Sequence, residues 1–87
     1  MNVNDVAQLH QDVEAILQPI STYVGGPERD ELLLLTHLLT VEELLVSLYL
    51  MASKMHPYVF DGIMRPIVEL EQQLKDMQLT TSDPGGT

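Results

Sequence analysis

The stretch Leu32-Leu33-Leu34-Leu35-Thr36-His37-Leu38-Leu39-Thr40-Val41-Glu42-Glu43-Leu44-Leu45-Val46-Ser47-Leu48-Tyr49-Leu50-Met51 decides the fold. From Leu32 to Met51, 14 of 20 residues are apolar. One stripe runs Leu34, Leu38, Val41, Leu45, Leu48, Ala52 and Met55, in alternating steps of four and three. A second runs Leu32, Leu35, Leu39, Val46 and Leu50. Both have helical spacing. Together they make more than half of the helix circumference apolar. Such a helix must be covered on more than one side, so it is the central helix of a bundle or an association surface. Thr40-Val41-Glu42-Glu43 fits a capping box and could start a new helix. No Gly or Pro interrupts the run, and one helix over about 27–53 is expected.

The flanks read as two more helices. Upstream, Val6, Leu9, Val13, Ile16, Leu17 and Ile20 share one helical face. Asn4 can cap it and Asp5 suits its positive end. Pro19 removes a backbone donor, so this helix is expected over about 4–18. Val24-Gly25-Gly26-Pro27 breaks the chain, and Pro27 suits the first turn of the next helix. Downstream, Lys54-Met55-His56-Pro57 is the second break. Val59, Ile63, Ile67, Leu70, Leu74 and Met77 then mark a helix over about 57–78, disturbed at Gly62 and Pro66. Glu71 and Lys75 form an i,i+4 pair. Residues 80–87, rich in Thr, Ser, Asp, Pro and Gly, are expected to be a disordered tail. The expected architecture is all-α, an antiparallel up-down-up three-helix bundle within residues 1–79.

Composition excludes several functions. The chain has 87 residues, enough for one small domain. It carries 4 Lys+Arg against 13 Asp+Glu, a net charge of -9. That opposes nucleic acid and anionic membrane surfaces, which bind through clustered cations. Without Cys there is no disulfide, thiolate metal site or thiol chemistry. The N-terminus has neither a positive region nor an apolar core of a secretory signal, and a cytoplasmic or nuclear location is expected. The Leu32–Met51 window has spanning length, but Glu42 and Glu43 each cost about 2.5–3.5 kcal/mol at a helix centre. It is expected to be a buried helix of a soluble domain.

Chemistry-bearing groups are sparse. His10 and Glu14 lie i,i+4 on one face, but two ligands do not make a zinc site. His37 and His56 add no recognisable ligand spacing. Gly25-Gly26-Pro27 leads into Glu28, Asp30 and Glu31, acids that would repel phosphate. No nucleophile-elbow pattern is present. The chain is therefore expected to be no enzyme, with no cofactor and no metal. Binding remains, carried by the apolar excess around Leu32–Met51.

The segment from Ile20 to Leu45 resembles the BAG-domain family of chaperone regulators. The resemblance lies in Tyr23-Val24-Gly25, Leu34-Leu35, Leu39-Thr40, and Glu42 or Glu43 with Leu44-Leu45. Pro66-Ile67-Val68-Glu69-Leu70 through Leu74 resembles the end of that family's last helix. The resemblance implies a three-helix bundle that binds the ATPase domain of DnaK-type heat-shock chaperones and speeds nucleotide exchange. It implies acids on the second helix and a basic pair with a Gln on the third. In this chain those positions hold His37, Ser47 or Leu48, then Phe60, Asp61 and Val68. Glu42, Glu43 and Arg65 are the nearby charges of the right sign. The expected partner-binding residues are Glu42, Glu43 and Arg65, with Leu33 and Leu50 from the apolar excess. The alternative is a homo-oligomerising module that has lost chaperone binding.

Overall fold

The computed structural model describes residues 2–82, with side chains through Leu79. Three α-helices, α1 (Val3–Gly25), α2 (Glu31–Leu50) and α3 (Pro57–Ser82), follow in chain order, with a single 3-10 turn at Ala52–Lys54 between the last two. No strand occurs among the described residues. The chain is all-α, as its spacing predicts.

Helix α1 is capped two residues earlier than expected. Asn2, not Asn4, accepts a hydrogen bond from the Asp5 amide at 2.9 Å. The helix also passes through Pro19, where it was expected to end. An interior Pro costs about 3 kcal/mol. Two buried residues beyond it, Ile20 and Tyr23, offset that cost at about 1.5–3 kcal/mol per large apolar side chain. The Tyr23 hydroxyl donates to the Asp30 carbonyl at 3.1 Å and accepts from the Asp30 amide at 3.3 Å. This clasp ties the end of α1 to the start of α2.

The connection is longer than expected, and α2 begins at Glu31, not at Pro27. Asp30 supplies the reason: its Oδ1 accepts from the amides of Leu32 at 2.9 Å and Leu33 at 3.2 Å. The Arg29 guanidinium meanwhile donates to the carbonyls of Gly26 at 2.8 Å and Glu28 at 2.7 Å, holding the loop outside the helix. At Gly26 a Cβ would come within 3.1 Å of the Thr22 carbonyl oxygen, so the chain turns closely there.

Helix α2 is one helix. The Thr40 hydroxyl donates to the Thr36 carbonyl at 3.0 Å, and Thr36 to Leu32 at 2.8 Å. Thr40 thus spends its side chain on its own helix and caps nothing. α2 ends at Leu50, short of Ser53, and the 3-10 turn leads to α3. His56 caps α3: its Nδ1 accepts from the Tyr58 amide at 3.1 Å and its carbonyl from the Phe60 amide at 3.0 Å. Pro57 takes the first helical position. α3 continues through Pro66 because Ile63, Met64 and Ile67 are locked in the core around it. Thr80, Thr81 and Ser82 still belong to α3, so the expected tail does not start at residue 80; residues 83–87 lie outside the described residues.

Each helix gives four residues to one core. They are Val13, Leu17, Ile20 and Tyr23; Leu34, Leu38, Val41 and Leu48; and Ile63, Met64, Ile67 and Leu74. α3 packs against both α1 and α2, while the latter two meet little. The central position, one of the two expected for α2, therefore belongs to α3. Along α1 and α3, Asn2, Val3 and Val6 share a groove with Met55, His56 and Val59. His10 through Ser21 share another with Gly62 through Gln73. The molecule measures 51 × 20 × 17 Å, with a radius of gyration of 14.8 Å. A compact chain of this length has about 12 Å.

Ile67 is fully buried. Ile67→Ala should lose about 2–5 kcal/mol in urea unfolding. Asp30→Ala should lose about 0.5–2 kcal/mol through the lost cap.

Candidate interaction surface

The two stripes of α2 have different fates. Leu34, Leu38, Val41 and Leu48 are in the core, with Leu45 packed against it. The other stripe is uncovered: Leu32 is 77% exposed, Leu39 60%, Val46 59% and Leu50 80%. Leu35 of the same stripe is less exposed, and Tyr49 is exposed beside it. α3 reaches only one side of α2, and no other described element covers the opposite side.

Helix geometry arranges this face. At about 100° per residue, Leu32, Leu39, Val46 and Leu50 fall within roughly 40° of arc. Glu42 and Glu43 lie on opposite sides of that line, about 60° and 40° from Leu39. They interrupt both flanks at mid-length. Leu39, Glu42, Glu43, Val46 and Ser47 line one shallow depression. α2 contains no Lys or Arg. Its His37 is half-buried, with its ring centroid 5.0 Å from that of Tyr23.

The expected partner residues separate. Glu42, Glu43 and Leu50 belong to the uncovered face. Arg65 lies on α3, where its guanidinium meets Asp61 at 2.6 Å. It lines a different groove, with Tyr49, Phe60, Met64 and Val68. Leu33 is half-buried and packs against the core. Leu32, Leu39 and Val46 are the more exposed apolar residues of α2. The expected Glu71–Lys75 pair is present at 3.8 Å.

Other features stay small. A groove of about 570 Å³ runs between α1 and α3 and includes His10 and Glu14. Among the described residues no three His, Cys, Asp or Glu gather as metal ligands. His56 stacks on Tyr58 at 5.5 Å. Tyr49 packs on Phe60 at 5.7 Å, an α2–α3 contact that the spacing alone does not reveal. Among the described residues, α2 is the one helix long and apolar enough to cross a membrane, with a mean hydropathy of 1.6 and 22% of that window buried. The helix expected to be buried is instead largely open to solvent. No protein-family model, no curated protein and no solved structure matches the chain.

The two stripes predict opposite responses to charge. Leu39→Glu should leave helicity intact and change stability by no more than about 0.5 kcal/mol. Leu34→Glu should abolish cooperative unfolding, because it buries an unpaired carboxylate. Circular dichroism during thermal melts distinguishes them.

Proposed function

We propose that this chain is a non-enzymatic helical protein–protein interaction domain, an adaptor or chaperone regulator of BAG-like build, working in the cytoplasm or nucleus. One observation carries the reading: α2 is apolar on two sides and covered on one. Contiguous uncovered apolar surface of this kind marks an association site. Its solvent exposure is costly in water, and a partner that excludes water from it recovers that cost. The up-down-up course fits the grooves that α1 and α3 line together, and it leaves the outer side of α2 free along its length.

The family resemblance supplies a first partner to test, the ATPase domain of a DnaK-type chaperone. On that reading Glu42 and Glu43 meet basic groups of the chaperone, while Leu39, Val46 and Leu50 bury against it. The second reading, a homo-oligomer packed through α2, draws on the same uncovered leucines.

Sedimentation velocity of the chain, alone and with a DnaK-type ATPase domain, separates the readings. Chaperone regulation requires a monomer that co-sediments with the ATPase domain, quickens its nucleotide release and loses both effects in Leu39→Glu. A self-associated species that ignores the chaperone and becomes monomeric in Leu39→Glu establishes the homo-oligomer. A monomer unaffected by the ATPase domain removes both partners.

A further inference from the structure

We infer that the uncovered face of α2 takes one amphipathic helix of another protein, apolar along its contact line and bearing Lys or Arg at its middle. The inference rests on the reading of α2 as a docking face, and it adds the chemistry of the occupant. The line Leu32, Leu39, Val46 and Leu50 is about as long as α2 itself and narrow, within roughly 40° of arc. A stripe of that shape matches the apolar seam of a single helix. At the middle of the seam both flanks are acidic, through Glu42 and Glu43. The helix carries no Lys or Arg to neutralise them.

That charge arrangement chooses among occupants. A second copy is disfavoured in either direction of packing. A two-fold antiparallel pair centred on the stripe brings both copies of Glu42 and Glu43 to its waist, and an in-register parallel pair faces them level with one another. Four carboxylates then crowd together with no base from α2, a repulsive arrangement that selects against self-pairing. An anionic membrane meets a chain of net charge -9. A helix with cations at mid-length instead pairs with both carboxylates while its leucines cover the seam. Of the four cations of the chain, Arg29 is bound in the α1–α2 loop, Arg65 and Lys75 pair on α3, and Lys54 lies in the 3-10 turn beyond the end of α2.

The test uses the full chain and two synthetic helical peptides of equal length. Each has Leu at every third and fourth position along one face. One carries Lys on both flanks at its middle, and the other carries Glu there. Fluorescence anisotropy should show the Lys peptide binding at least ten-fold more tightly than the Glu peptide. The double variant Glu42→Lys with Glu43→Lys should reverse that preference. Asp12→Lys with Glu14→Lys, an equal charge change on α1, should keep it. Leu39→Glu should weaken the Lys peptide at least ten-fold. If the two peptides bind equally, the docking face stands and the basic partner is overturned. If the α1 variant reverses the preference as well, net charge alone attracts the peptide and the inference fails. If neither peptide binds, while the chain dimerises or floats with phosphatidylcholine vesicles, a second copy or a membrane replaces the proposed helix.

Discussion

The contact between α2 and α3 sets what the rest of the molecule can do. Leu34, Leu38, Val41 and Leu48 form a single line on α2, and α3 answers with Ile63, Met64, Ile67 and Leu74. A line of residues spaced by three and four occupies one side of a helix and no more. α3 must also receive α1, whose Val13 and Leu17 line a groove with its Ile63 and Leu70. With α1 drawn to α3, nothing remains within the described chain to cover the far side of α2. The elongated shape and the open leucine line both follow from that allocation.

The helices were legible because apolar spacing is a local property. The stripe of α3 read from sequence includes Ile63, Ile67 and Leu74, all buried. The helix ends were less legible, because they depend on contacts between distant residues. Pro19 stops a helix only if nothing beyond it is held, and Ile20 and Tyr23 are held. The start of α2 moved to Glu31 because Asp30 caps better than the Pro27 region, and because Tyr23 grips Asp30 from seven residues away. No local pattern carries that grip.

The candidate surface was half legible. The second stripe of α2 is plain in the sequence, but which stripe faces inward depends on the packing of α3. Glu42, Glu43 and Leu50 are exposed, whereas Leu33, between the two stripes, is half-buried beside the core. Arg65 was grouped with the acids of α2 by charge alone. In the structure its short bond to Asp61 holds it to its own helix.

The order of the helices also bears on how the chain is born. α3 is the element that both other helices pack against, and it is made after both of them. Until Leu74 leaves the ribosome, the buried line of α2 has no surface to rest on. At about 5–20 residues per second the interval is on the order of seconds. During it, α2 shows both of its apolar lines at once, a hydrophobic helix of spanning length with no partner. The nascent chain is then a ready client for whatever shields or captures such segments during synthesis, and premature termination before α3 leaves that state permanent.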